Sequence, residues 1–107
     1  MLKDCESKQI QRQLLIDAIM YLQTPDECEH FLKCLLSPHE FDVISQRFDV
    51  ALNLACGKGY NEVVKCVHVS SATVGKVKRT LYDGKDSEHF EGFILRFLKE
   101  RDRLGTL

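Results

Sequence analysis

Gly59-Tyr60-Asn61-Glu62-Val63-Val64-Lys65-Cys66-Val67-His68-Val69-Ser70-Ser71-Ala72-Thr73-Val74-Gly75-Lys76-Val77-Lys78-Arg79 is small and hydroxylated at the start of its second half, then basic. It reads as a brief helix over about residues 60–66, a turn at 67–70, and a second helix from 71 to about 82 capped by Ser70 or Ser71. A helix that enters a major groove points its first residues at base edges. Ser71, Ala72 and Thr73 are small enough to approach them, while Lys76, Lys78 and Arg79 reach phosphates. The expectation is a helix-turn-helix over about residues 60–82 that binds double-stranded DNA.

Working outward, charge supports that reading only when it is counted by segment. The chain of 107 residues has a formal net charge of −1, which is unusual for a nucleic-acid binder. Residues 1–56 carry 5 basic and 9 acidic side chains, residues 57–85 carry 6 and 2, and residues 86–107 carry 4 and 5. The basic concentration therefore coincides with the motif. A length of 107 residues with 44% hydrophobic content suits a single domain, residues 1–107, with modest burial.

Helix signals dominate the remainder. Ile10, Leu14, Leu15, Ala18, Ile19 and Leu22 form an apolar stripe over residues 9–22. Thr24-Pro25-Asp26-Glu27 and Ser37-Pro38-His39-Glu40 each offer a hydroxyl cap, a proline at the first helical position and a glutamate three residues after the cap. The second helix is expected to bury Cys28, Phe31, Leu32, Leu35 and Leu36. The third should bury Phe41, Ile44, Phe48, Leu52 and Ala55 before Gly57 ends it. Gly84 marks the end of the motif, and Asp86 or Ser87 caps a last helix with an apolar face of Phe90, Phe93, Ile94, Phe97 and Leu98. The resulting class is all-α with six helices. Large apolar faces at both ends of the chain predict an intertwined homodimer, against a monomer whose terminal helices close on the third.

The stretch from Leu36 to Gly84 resembles the bacterial Trp repressor family, and within it the short Trp-repressor-like branch. The shared features are Ser37-Pro38-x-Glu40, Gln46-Arg47, the Gly57-x-Gly59-Tyr60 link, and Ser71-Ala72-Thr73-Val74 followed by Val77-Lys78-Arg79. The resemblance implies an interlocked helical dimer with one recognition helix per subunit in successive major grooves. In tryptophan-binding members an indole lies between two arginines, with a glycine just after the second. Arg47 fits the first arginine, and Ser37 fits the hydroxyl residue opening the third helix. The second place holds Lys76 and the glycine place Val77. Lysine lacks the planar guanidinium that stacks on a ring, and valine adds bulk, so the expectation is a closed pocket and no use of L-tryptophan as co-repressor.

Each singled-out residue also has a plainer use. Ser70 is expected at the DNA with Ser71, Ala72 and Thr73, though the last three could simply cap and start a helix, and Lys65, Lys76, Lys78 and Arg79 could be a solvated face; their clustering favours phosphates. Gly75 weakens a helix, so it marks close approach of DNA or of a neighbouring helix, or drift at an exposed site. Val63, Val67, Val69 and Val74 read as motif core. Tyr60 either bonds a phosphate or packs as a staple on Val64, and Arg47 pairs with Asp42 or Asp49 more readily than with a ligand. His68 reads as an exposed turn residue.

Five cysteines without Cys-x-x-Cys spacing, and no secretory apolar stretch before them, predict reduced, mostly buried thiols in a cytoplasmic protein. A zinc site from Cys28, His30, Cys34 and His39 lacks a recognised spacing, so no metal or cofactor is expected. No apolar run approaches the ~20 residues of a membrane helix. Dispersed carboxylates, the absence of a paired nucleophile and base, and the lack of a phosphate loop argue against an enzyme. Two rivals stand beside the DNA-binding regulator. One is a module like sigma region four or a response-regulator effector domain, and the other is a helical module for protein or RNA, which the near-zero net charge favours.

Overall fold

The computed structural model describes residues 7–105. Among them lie six helices and no strand: α1 (Lys8–Tyr21), α2 (Pro25–Leu35), α3 (Pro38–Ala55), α4 (Tyr60–Val67), α5 (Ser71–Tyr82) and α6 (Ser87–Arg103). The chain divides into two compact units, Met1–Phe41 and Asp42–Leu107, with the division inside α3.

Local chemistry explains most of the helix boundaries. Ser7 caps α1 by accepting from the Gln9 N–H at 3.1 Å. Thr24 Oγ1 accepts from the Glu27 N–H at 3.1 Å, and the Glu27 carboxylate accepts from the Gln23 N–H at 2.9 Å. At α3 the exchange is fully reciprocal: Ser37 Oγ accepts from the Glu40 N–H at 3.1 Å, and Glu40 Oε1 accepts from the Ser37 N–H at 2.8 Å. The Ser37 backbone N–H, and after it the Ser37 side chain, favour the ionised carboxylate and hold the Glu40 pKa below its ordinary value. The end of α3 is equally specific. Gly57, at φ 94°, donates to the Leu54 carbonyl at 3.0 Å, and Lys58 donates to the Asn53 carbonyl at 3.2 Å. That pair of bonds is a Schellman motif, which requires the left-handed conformation glycine adopts freely.

In the first unit α1 contributes no buried residue, and Ile10, Leu15, Ile16, Ile19, Met20 and Tyr21 are all exposed. Ala18, Tyr21 and Leu22, with Phe31, Cys34, His30 and Glu27 of α2, line a largely apolar groove of about 420 Å³. The expected burial along α2 is only partial: Cys28, Phe31, Leu32 and Leu36 are half-buried and Leu35 is exposed.

The second unit holds the core. Val50, Ala51 and Leu54 of α3 meet Val63 of α4, Val74, Val77 and Leu81 of α5, and Ile94 of α6, with Phe48, Leu52, Phe90 and Leu98 packed around them. Phe97 meets Phe48 edge to face at 5.5 Å. The face of α3 expected to be buried is thus corrected. Phe41, Phe48, Leu52 and Ala55 are half-buried and Ile44 is exposed, while the centre belongs to Val50, Ala51 and Leu54, about a third of a turn round the helix. Helix α3 is apolar on two adjacent faces, and the one that carries Val50, Ala51 and Leu54 joins the cluster with α4, α5 and α6. In α6 only Ile94 is fully buried, and Phe93 is exposed.

The thiols also differ from expectation: Cys34, Cys56 and Cys66 are exposed and Cys28 is half-buried, while Cys5 lies outside the described residues. Among the described residues no three His, Cys, Asp or Glu side chains converge, so Cys28, His30, Cys34 and His39 do not form a ligand set. No described helix is long and apolar enough to cross a membrane.

Candidate nucleic-acid interface

Helices α4 and α5 are joined by a short turn whose geometry is set by two caps. His68 ends α4 in the left-handed conformation, at φ 60° and ψ 46°, and its N–H donates to the Val64 carbonyl at 3.2 Å. Histidine is one of the few non-glycine side chains enriched in that region. Two residues on, Ser70 opens α5: its Oγ accepts from the Thr73 N–H at 3.1 Å and lies 2.9 Å from the Thr73 hydroxyl. Ser70 is therefore the cap and Ser71 the first helical residue. Ser70→Ala removes the acceptor for one orphan N–H and is expected to lower stability by about 1 kcal/mol, read in a denaturant melt. A change within 0.2 kcal/mol would deny the cap any energetic role.

The buried residues of α5 fix which side faces outward. Val74, Val77 and Leu81 lie on the core side. At ~100° per residue, Ala72, Gly75, Lys76 and Arg79 occupy the opposite side, with Ser71 at its edge. Ser71, Ala72, Lys76, Lys78 and Arg79 are exposed, as is Lys65 on α4, whereas Thr73 is half-buried with its hydroxyl turned to Ser70. Lys78 falls to the flank of the outward side, and Lys76 and Arg79 rim a shallow depression with Thr80, Asp83 and Gly84. Val63 and Val74 are buried as motif core, and Val67 and Val69 are half-buried beside them.

Two residues take roles that their sequence positions did not reveal. The Tyr60 hydroxyl donates to the Ser71 carbonyl, joining the start of α4 to the start of α5. It reaches α5 over Gly75, where an added Cβ would sit 3.5 Å from the phenol oxygen and 3.7 Å from Arg79 Nη1. The mid-helix glycine is the signal in the sequence that something lies close. Arg47 pairs with neither acid proposed for it: Asp49 accepts from the Asn53 side chain at 2.9 Å, and the ion pairs among the described residues join His30 with Asp26, Lys33 with Glu29, and Arg103 with Glu100.

Arg47 instead lines a cavity of about 300 Å³ with Ile44, Phe48, Lys76, Val77, Thr80 and Phe90. The expectation that Lys76 and Val77 close this pocket is corrected. Val77 directs most of its surface into the core, being 6% exposed, and forms wall where the resemblance places a glycine. Two cations, one hydroxyl and an apolar lining remain around the space.

Comparison with known proteins bears on the family and the fold. The Trp repressor protein family matches residues 10–93. The YerC protein of Bacillus subtilis (strain 168), itself uncharacterised, is 33% identical over 73 residues, covering 68% of this chain and 70% of YerC. A TrpR-like protein from Eubacterium eligens ATCC 27750 superposes with a TM-score of 0.68 at 27% identity, covering 95% of this chain and 94% of that one. A Trp repressor candidate from Staphylococcus aureus gives a TM-score of 0.68 at 29% identity, covering 94% and 98%. A six-helix fold, a capped helix-turn-helix and these matches together establish that the chain belongs to the Trp repressor family, in its short Trp-repressor-like branch.

Proposed function

We propose that the protein is a sequence-specific DNA-binding transcription regulator, a repressor that acts in the cytoplasm as a homodimer and does not use L-tryptophan as co-repressor. The observation that carries this reading is the outward side of α5, where small residues precede Lys76 and Arg79 within the chain's basic segment. Ser71, Ala72 and Thr73 stand at the end that meets base edges. Lys65, Lys76, Lys78 and Arg79 neutralise phosphates, and Ser70 holds the first turn in shape.

Dimerisation is supported by the apolar surface the single chain leaves exposed. Ile10, Leu15, Ile16, Ile19 and Met20 on α1, and Ile44 on α3, are between 42% and 79% exposed. On α1 these side chains recur along one helix, and large exposed apolar faces of that kind mark association surfaces. A second copy provides the matching surface, and the family resemblance supports that choice.

The reading on tryptophan rests on the cavity of Arg47 and Lys76. A lysine ammonium offers a point charge where a guanidinium would stack on the indole. Calorimetric titration with L-tryptophan should give no saturable heat; stoichiometric binding at low-micromolar concentration would contradict it. For DNA, mobility shifts on genomic fragments from low to physiological salt should show retention that falls steeply with salt. Retention indifferent to salt, or none at any salt, would remove the regulator reading.

A further inference from the structure

The recognition helix is held at its two ends by tyrosine hydroxyls. At its start the Tyr60 phenol donates to the Ser71 carbonyl, and at its end the Tyr82 phenol donates to the Leu54 carbonyl at 3.3 Å. We propose that Tyr60 and Tyr82 are positioning residues that together set the rotation and tilt of α5 for base readout, an inference that rests on the regulator reading above.

The need for such ties follows from the packing between them. The core side of α5 is Val74, Val77 and Leu81, all apolar. Apolar contact is non-directional, so these side chains select which side of α5 is buried but leave its finer rotation and tilt loosely set. A hydrogen bond is directional and weakens steeply as its angle closes. The two ties act eleven residues apart on α5, roughly 16 Å at the helical rise, and on separate neighbours, α4 and the end of α3. Two directional restraints at that separation define both angle and register.

The surrounding chemistry suits this use. Leu54 also accepts from the Gly57 N–H at 3.0 Å, so the phenol takes the second lone pair of a carbonyl already engaged in the turn that ends α3. Burial and the neighbouring Glu91 carboxylate both raise the Tyr82 pKa, which keeps its hydroxyl protonated as a donor. Beside Tyr60 lies Gly75, where an added Cβ would already be in van der Waals contact with the phenol oxygen.

Tyr60→Phe and Tyr82→Phe keep the rings and remove only the donors. The full chain carrying each change, and both, is compared with the unaltered protein in two measurements. The first is hydrogen exchange of the α5 amides without DNA, where each variant should exchange faster and the double variant faster still. The second is affinity for the duplex selected from genomic fragments and for an unrelated duplex of equal length. Each single change should lower affinity for the selected duplex about three- to tenfold, the range of one lost hydrogen bond, and leave the unrelated duplex and the salt slope unaltered. Equal losses on both duplexes would make the phenols phosphate contacts and overturn the proposal, as would unchanged α5 exchange. If the unaltered protein retains no duplex, the regulator reading fails, and the exchange data still decide whether the ties hold α5.

Discussion

With Lys76 and Arg79 both replaced by glutamine, DNA affinity at physiological salt falls by about a hundredfold or more, and the dependence on salt becomes shallower. Both side chains are exposed on the outward side of α5, and neither joins an ion pair among the described residues. Their loss should therefore cost little stability, and thermal melting should show the variant as folded as the parent. The expected change in slope follows from counterion release. Each neutralised phosphate contributes about 0.9 to the slope of log affinity against log salt. Removing two contacts lowers it by about 2 for one recognition helix on the duplex and by about 4 for two. The same titration thus separates a dimer that engages both helices from a single bound subunit. Lys76 also borders the cavity of Arg47, so Lys78→Gln, on the flank of the helix, provides the comparison with a change of about 1 per subunit.

Leu81→Ala has the largest expected effect on stability. Leu81 is fully buried on α5 and belongs to the cluster that joins α3, α4, α5 and α6. Its truncation removes the transfer free energy of the deleted atoms and leaves a cavity in a small core, at a cost of about 3 kcal/mol within a usual range of 2–5. Total stability for such domains is about 5–15 kcal/mol, so the loss is a large share of it. The melting temperature should fall by about 12 °C or more, checked by circular dichroism at fixed protein concentration because association shifts the midpoint. A fall under 3 °C would place Leu81 outside the cooperative core. DNA binding measured well below the new midpoint should be weaker but retain its preference for the selected duplex.

These expectations rest on features unequally visible in the amino-acid sequence. Helix starts at Thr24-Pro25, Ser37-Pro38 and Ser70 were legible because a cap is a bond between residues two or three apart. The end of α3 at Gly57 was legible for the same reason. The core side of α3 was not. With apolar residues on two adjacent faces, periodicity alone does not choose between them, and the tertiary cluster with α4, α5 and α6 takes Val50, Ala51 and Leu54 as its centre. Exposure of Cys34, Cys56 and Cys66 was hidden because cysteine is small enough to sit on either side of a helix.

At the candidate interface, order and charge located the basic segment, and the structure leaves Lys65, Ser71, Ala72, Lys76, Lys78 and Arg79 exposed there. What the sequence concealed were partners distant along the chain. Tyr60 meets Ser71 across the turn, Tyr82 meets Leu54 on another helix, and Arg47 meets Lys76 around a shared cavity. No periodicity encodes such pairs, because each depends on where tertiary packing sets two helices. The open cavity has the same origin: the sequence alone does not show that Val77 turns into the core and leaves the space beside Arg47 open.

The central claim is that α5 reads DNA in a major groove, once per subunit of a homodimer. Hydroxyl-radical footprinting on a duplex selected from the organism's own genomic fragments measures this directly. The account predicts two protected tracts related by two-fold symmetry, with centres about 10 base pairs apart, the spacing that successive major grooves impose. Both tracts should vanish together when Lys76 and Arg79 are replaced. A single tract, or protection that persists in that variant, would contradict it.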